Sequence, residues 1–216
     1  LSIGIGPLSF LGDVGDTVPG KDRIDRSSQI FQGGYSYTLR LVNPINDYLD
    51  VAFYAMLGRT SVNQTTESPL YPTPNGLLFR SSIKSGGITF NYNFNQLLKK
   101  GHILEPYIHL GIESIEYNSE VDTDPNDASI NYDSDVSIFS DDQPKNKFAL
   151  GFPFEIGAHV HIGNKIKFRV GSAIHFTSTD YMDGINNSGI FPLGFGKDNL
   201  LFNHIAVVYD FNAKKE

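Results

Sequence analysis

Ionisable side chains recur at every second position in two neighbouring stretches of the chain. Glu155, His159 and His161 share one parity, and Lys167 and Arg169 continue the pattern after a short gap. Histidine beside carboxylates can bind a metal ion or exchange protons, so these residues have the most chemical potential in the sequence. A spacing of two is also what any polar strand face produces, because side chains alternate between the faces of a strand. The pattern therefore predicts a shared polar surface before it predicts catalysis.

Other ionisable residues occupy the same kind of alternating position elsewhere in the chain. They are Arg40, Asp50, Glu105, His109, Glu113 and His175. No nucleophile with a paired base is apparent, and the absence of cysteine excludes disulfides, thiolate zinc sites and cysteine nucleophiles. We therefore expect these residues to pack inside the fold, and we expect no catalytic residue, no metal site and no cofactor.

The segments that carry these residues are predicted to be β-strands, because apolar residues alternate with the polar ones. In the clearest case, 148–162, every even position is apolar: Phe148, Leu150, Phe152, Phe154, Ile156, Ala158, Val160 and Ile162. The same period of two predicts strands over 1–10, 35–41, 49–57, 85–94, 104–112, 166–176 and 201–211. In the first strand the alternation changes phase after Pro7, which predicts a β-bulge at a barrel seam.

The connections between these strands alternate in length. Short links at 43–47, 95–103 and 163–165 alternate with long ones at 12–32, 60–82, 118–147 and 178–199. Short turns at one end and long loops at the other are typical of bacterial outer-membrane barrels. The sequence thus predicts an all-β fold, an eight-stranded antiparallel up-and-down transmembrane β-barrel in the bacterial outer membrane. We expect one domain over 1–216, with both ends in the periplasm, and the start at Leu1 rather than Met indicates a mature or excised fragment.

The composition of the two strand faces predicts which one meets lipid. Glycines are interleaved with charged residues on the polar face, which suits the crowded interior of a small barrel better than a water-exposed wall. We therefore expect the apolar face to contact outer-membrane lipids, and its aromatic members are Phe90, Tyr92, Phe94, Phe152, Phe154, Phe168, Phe176 and Tyr209. The alternative is a soluble lipocalin-like barrel, in which the apolar face lines a ligand cavity.

The overall charge excludes one class of partner. The chain has 24 acidic and 17 basic side chains, a formal net charge of −7, which argues against nucleic-acid binding. Charged residues are 19% of the chain, below the roughly 25% of soluble domains. No segment has the ~18 consecutive apolar residues of a transmembrane helix.

Parity restricts how the strands pair at the turn over 43–47. Pairing Leu41 with Leu49 keeps both apolar faces on one side and places Arg40 opposite Asp50. We expect these two side chains to form an ion pair inside the barrel.

The turn over 163–165 makes a second prediction of the same kind. A three-residue loop places His161 opposite Lys167, His159 opposite Arg169, and Glu155 near all of these basic groups. Buried charges persist when they are paired and hydrogen-bonded. We therefore expect an interior closed by opposite charges rather than an open pore.

The acidic loop over 118–147 partly fits a calcium-binding template. Asp122, Asp124, Asn126 and Asp133 fall at its first, third, fifth and last positions. Asp127 stands where the turn needs Gly, and the last position lacks the bidentate Glu, so a solvated acidic loop is predicted instead.

Several motifs occur together in an order that points to one family. They are GPLSFLGDVGD at 6–16, AMLGR at 55–59, LLFRSSI at 77–83, YNF at 92–94, EPYIHLGI at 105–112, FALGFPFEIG at 148–157 and FTSTDYMDGI at 176–185. In these motifs, and nearly end to end, the chain resembles the PorG-like outer-membrane β-barrels of the Bacteroidota type IX protein secretion and gliding machinery. The resemblance implies a subunit that associates with periplasmic ring components and has no catalytic residues to carry over.

The sequence therefore predicts a non-enzymatic outer-membrane anchor or assembly component with periplasmic or outer-membrane protein partners. An OmpX- or OmpW-like small barrel, acting in adhesion or in the passage of small apolar solutes, is the second hypothesis. A soluble lipocalin-like ligand binder is the third.

Overall fold

A computed structural model describes residues 1–11, 34–64, 77–94, 104–122, 147–179, 182 and 198–211. These residues form eight strands: β1 (Ser2–Leu11), β2 (Gly34–Pro44), β3 (Leu49–Gln64), β4 (Leu77–Asn93), β5 (Leu104–Asp122), β6 (Phe148–His161), β7 (Ile166–Thr177) and β8 (Asn199–Tyr209). Each strand pairs antiparallel with the next, and β8 pairs with β1 to close the barrel. The predicted eight-stranded antiparallel barrel is confirmed.

The alternation underestimates β3, β4 and β5 most, which have 16, 17 and 19 residues. Their extra length lies at the end of the barrel opposite the short turns. On the outer wall there, Lys84 and Glu116 form an exposed ion pair at 3.0 Å. From this pair outward, three paired segments form what we call the projecting sheet: 59–64, 77–84 and 116–122. The predicted loops over 60–82 and 118–147 are therefore wrong where they overlap these strands. Strands that leave the membrane no longer need an apolar face, so the alternation fades while the pairing continues.

The predicted bulge after Pro7 is wrong. Ile5 faces Ile205 and Leu8 faces Phe202, so β1 and β8 keep one register on both sides of Pro7. The apolar residues change face because the interior itself changes from polar to apolar at this height.

The β6–β7 register agrees with the sequence analysis. His161 faces Lys167, His159 faces Arg169, and Glu155 faces Ala173.

The β2–β3 register differs from the prediction, and the Arg40–Asp50 pair is wrong. Arg40 faces Tyr54, and Asp50 faces Pro44, so the pairing is displaced by four residues. The turn is tighter than expected, because Asn46 Oδ1 accepts hydrogen bonds from the amides of Tyr48 at 3.1 Å and Leu49 at 2.9 Å. Such a local cap lets β2 continue to Pro44. The parity survives, so Arg40 still points inward.

A belt of apolar side chains covers the outside of the barrel. Six of the aromatic residues predicted to meet lipid are exposed there: Phe90, Tyr92, Phe152, Phe154, Phe168 and Tyr209. Phe94 and Phe176 are partly exposed. Aromatic rings cluster at the end of the barrel that carries the short turns, with Tyr48 against Tyr92 and Tyr209 against Phe211, as in the girdles of membrane barrels. We call this end periplasmic and the other end extracellular, because short turns are periplasmic in bacterial outer-membrane barrels. The soluble lipocalin-like alternative is wrong, because the apolar face lies outside.

The part of the chain that the structure describes contains no helix long and apolar enough to cross a membrane.

The interior is layered. Its extracellular half is an apolar layer of buried residues: Leu8, Phe10, Tyr54, Met56, Ile83, Ile115, Tyr117, Ala149, Ala173, Met182, Leu200 and Phe202. Below it lie the charged residues, and a cavity opens at the periplasmic end.

Candidate functional site

Glu155 on β6 lies at the centre of the charged interior and is completely buried. The barrel closure brings to it Arg40 from β2, His109 from β5, Arg169 from β7 and His204 from β8. Together with Tyr107, we call these residues the Glu155 cluster. Because five strands contribute, the cluster joins opposite walls of the barrel.

Two guanidinium groups hold the Glu155 carboxylate. Arg40 Nη2 donates to Oε2 at 2.6 Å, while Arg169 donates to Oε1 from Nη2 at 2.8 Å and from Nε at 3.1 Å. Charge-assisted hydrogen bonds of this kind are stronger than those between neutral groups. They compensate for the burial of the Glu155 carboxylate, which would be very unfavourable for an isolated ion.

Tyr107 completes this arrangement from β5. Its hydroxyl donates to Glu155 Oε1 at 2.5 Å and accepts from Arg169 Nε at 2.8 Å. The Arg169 guanidinium carbon lies 4.4 Å from the centre of the Tyr107 ring. Gly157 and Gly171 make room for the hydroxyl, because a Cβ at these positions would lie 2.4 Å and 2.5 Å from it.

His109 lies between the two guanidinium groups and the carboxylate. Its Nδ1 lies 2.6 Å from Arg40 Nη1 and 3.1 Å from Arg169 Nη2. The same nitrogen lies 3.1 Å from Glu155 Oε2. His109 therefore contacts all three ionised side chains of the cluster.

A second carboxylate lies one level higher. Glu113 accepts a hydrogen bond from the Tyr54 hydroxyl, and His175 Nδ1 lies 2.7 Å from its Oε1. At these two buried levels, the two guanidinium groups of Arg40 and Arg169 accompany the two carboxylates of Glu155 and Glu113.

Below the Glu155 cluster, a cavity of about 430 Å³ opens toward the periplasm. We call it the vestibule. Glu105 Oε2 lies 2.6 Å from His161 Nε2 and 3.5 Å from Lys167 Nζ on one wall. On the adjoining wall formed by β3 and β4, Asn93 Nδ2 donates to Asp50 Oδ2 at 2.8 Å.

All eleven ionisable residues of the sequence analysis occupy inward positions, but they form three groups rather than one. Arg40, His109, Glu155 and Arg169 lie in the Glu155 cluster; Glu113 and His175 lie above it; Asp50, Glu105, His159, His161 and Lys167 lie in or beside the vestibule. Within the described ranges, no group of three or more His, Asp or Glu residues could hold a metal ion.

Sequence reasoning did not assign roles to Tyr54, Tyr107 and His204. All three lie on inward-facing parities, so the alternation could have included them. Aromatic residues on a polar face were easily taken for filling, whereas here they donate to or approach the carboxylates.

Met182 caps the apolar layer from outside the strands, and no periodicity could have predicted this. It is completely buried. Its amide donates to Asp198 Oδ2 at 2.6 Å, its carbonyl accepts from Ser119 Oγ, and Thr177 Oγ1 donates to the Asp198 carbonyl. The FTSTDYMDGI motif of the family resemblance, at 176–185, contains this residue. The proposed calcium-loop positions 124–133 lie outside the described residues, and Asp122 is the last residue of β5.

Comparison with known proteins supports the architecture. The chain matches no protein-family model and no curated protein. Among solved structures, Neisserial surface protein A matches with a TM-score of 0.50 at 10% identity, over 97% of this chain and 95% of that one. The present chain is a bacterial outer-membrane β-barrel. This conclusion follows from its eight-stranded fold together with the apolar belt on its outer surface.

Two further solved structures match with lower scores. Ail, the attachment invasion locus protein of Yersinia pestis, has a TM-score of 0.45 at 9% identity, over 96% of this chain and 94% of that one. The outer membrane enzyme PagL has a TM-score of 0.36 at 16% identity, over 95% of each chain.

Proposed function

We propose that this barrel is a non-enzymatic anchor or assembly component of the outer membrane, and that its surfaces at the two ends meet protein partners. The filled interior carries the proposal. The Glu155 cluster and the apolar layer under Met182 close the described part of the barrel at two heights. We therefore expect a barrel without an open channel to act through the surfaces at its two ends.

The interior also argues against the passage of small apolar solutes. Such a solute would have to displace Arg40, Arg169 and Glu155 from mutual hydrogen bonds in a site shielded from water. Removing one partner from a buried ion pair destabilises the fold by about 3–5 kcal/mol.

The specific assembly that we propose is the type IX protein secretion and gliding machinery. Its support is the order of sequence motifs that resembles the PorG-like barrels. The partners would then be periplasmic components of the secretion ring, and they would approach the end of the barrel that carries the turns at 44–49 and 161–166.

Co-purification from the native membrane tests this function. The barrel, extracted in a mild detergent, is expected to retain periplasmic proteins in fixed ratio. A matched control is an unrelated outer-membrane barrel with the same tag, which should retain none of them. Recovery of this barrel without a stoichiometric periplasmic protein would contradict the proposal.

The projecting sheet favours a second candidate, a role in attachment at the cell surface. The paired strands of 59–64, 77–84 and 116–122 continue past the exposed Lys84–Glu116 pair, about 20 Å along β5 at roughly 3.4 Å per residue. Such a platform can present backbone and side chains to an external surface. Cells displaying the barrel should then adhere better than cells displaying a variant with 62–79 replaced by a short Asn-Gly turn; equal adhesion would exclude this role.

A further inference from the structure

The vestibule contains polar oxygens that lack donors. Asn91 is 2% exposed and lines the cavity, yet its Oδ1 has no hydrogen-bond partner among the described residues. Asn93 Oδ1 is also without a partner, although its amide nitrogen donates to Asp50. Buried polar atoms are normally satisfied, so these two shielded acceptors, on residues that line an open cavity, indicate a missing donor.

The charge of the vestibule has the sign that such a donor requires. Its lining side chains include the carboxylates of Asp47, Asp50 and Glu105, and the cationic side chains among the described lining residues are Lys167 and Arg169. Both cations are engaged, because Lys167 lies 3.5 Å from Glu105 and Arg169 lies 2.8 Å from Glu155. Asp50 has no ion-pair partner among the residues that the structure describes. The acceptor-rich wall of Asp50, Asn91 and Asn93 therefore favours a cation.

The shape of the vestibule suits a side chain on a stem. The Glu155 cluster closes its floor with Arg169, so within the described part of the barrel the cavity ends there and opens toward the periplasm. Val42, Pro44 and Val208 add apolar surface to its lining, along which the methylene groups of arginine or lysine can pack. Its volume of about 430 Å³ lies within the roughly 300–1,000 Å³ of small-ligand sites.

We infer that the vestibule is a binding site for a cationic side chain, arginine or lysine, carried by a periplasmic protein segment. The guanidinium or ammonium group donates to Asp50 and to the Asn91 and Asn93 carbonyl oxygens. This inference rests on the proposed function for the identity of the carrier, whereas the site itself stands on the geometry of the barrel.

The site is tested with the purified barrel in detergent micelles and argininamide as the probe. The side-chain amide resonances of Asn91 and Asn93 should shift saturably with argininamide. They should not shift with citrullinamide, which replaces the guanidinium by a neutral urea group. Absence of a saturable shift, or equal shifts with both compounds, would overturn the site.

Variants locate the binding. Asp50→Asn should weaken argininamide binding about tenfold, because it removes a charge-assisted hydrogen bond. Glu116→Gln, a matched loss of one carboxylate at the opposite end of the barrel, should leave binding unchanged. Heat-modifiable migration on a gel verifies that each variant is folded, and Asn91→Ala provides a second loss of an acceptor. Equal affinity of Asp50→Asn and Glu116→Gln would overturn the assignment.

A second measurement distinguishes a protein carrier from a free cationic solute. Asp50→Asn should lower the amount of periplasmic protein that co-purifies, relative to Glu116→Gln. Undiminished co-purification, despite weakened argininamide binding, would overturn the protein carrier and leave a solute site. If no protein co-purifies even with the unaltered barrel, the proposed function and the protein carrier fail together, while the argininamide titration still decides the site.

Discussion

At the scale of single residues, the interior is organised around carboxylates that are buried from solvent. Glu155 is held by two guanidinium groups and the Tyr107 hydroxyl, and Glu113 by Tyr54 and His175. In such an environment, removing one partner destabilises the fold by more than the intact ion pair stabilises it, because the remaining ion stays buried.

Replacing Glu155 by Gln is therefore expected to lower the free energy of unfolding by about 3–5 kcal/mol, since Arg40 and Arg169 would keep their charges without a counterion. Urea titration in detergent, followed by heat-modifiability on a gel, measures the change. Glu116→Gln is the control, because its ion pair with Lys84 is exposed and such pairs contribute little. Similar midpoints for the two variants would contradict this account of the interior.

Gly171→Ala is expected to destabilise the barrel through the same cluster. Its Cβ would lie 2.5 Å from the Tyr107 hydroxyl and 2.8 Å from Glu155 Oε1, so the cluster would have to shift. Overpacking of this kind typically costs about 1–3 kcal/mol. Gly86→Ala is the matched control, because its new Cβ would meet only the Tyr54 carbonyl at 3.5 Å. The same unfolding titration should separate the two variants, and an unaffected Gly171→Ala would count against the tight fit.

At the scale of the strands, alternation predicted the number of strands and the parity of each inward residue. It could do so because hydrocarbon outside and polar groups inside impose opposite demands on successive positions. It failed where that contrast ends: β4 begins at Leu77 rather than Ser85, since the projecting sheet does not face lipid. It also misplaced Arg40 relative to Asp50, because parity leaves registers that differ by an even number equally acceptable, and the Asn46 turn decides between them.

The outward face of β6 provides a test at this scale. Phe154 pairs with Leu110 and Ile174 inside the apolar belt, whereas Phe148 pairs with Glu116 at the wet end of the same strand. Phe154→Arg should cost about 2–4 kcal/mol, and Phe148→Arg only about 0–1, because the cost of a lipid-facing cation falls toward the interface. Folding into lipid vesicles measures both, and an equal or larger defect for Phe148→Arg would invert the placement of the belt.

For the whole molecule, the layered interior connects fold and function. The apolar layer, the two carboxylate clusters and the vestibule follow one another along the barrel axis, and among the described residues the first three are buried while the vestibule opens to water. The general sequence of layers was not predictable, because His204 and Met182 reach their places through closure of the barrel and through a segment after β7, which periodicity does not describe.

Planar-bilayer recordings test this organisation. The barrel should give no steady openings, because both the Glu155 cluster and the Met182-capped layer would have to part for ions to pass. A porin in the same bilayer provides the positive control. Large, long-lived openings of the unaltered barrel would refute the filled interior.

The Glu155 cluster has a consequence for biogenesis. Arg40 and Glu155 are 115 residues apart in the chain and meet only across the closed ring. Before the first and last strands join, Glu155 already has Arg169 beside it on the adjacent strand β7, whereas Arg40 on β2 lacks its carboxylate partner. The nascent barrel must therefore carry the Arg40 cation into the bilayer together with hydration water. Expulsion of that water then accompanies closure, and the final zipping of β1 to β8 becomes the step at which the interior dries.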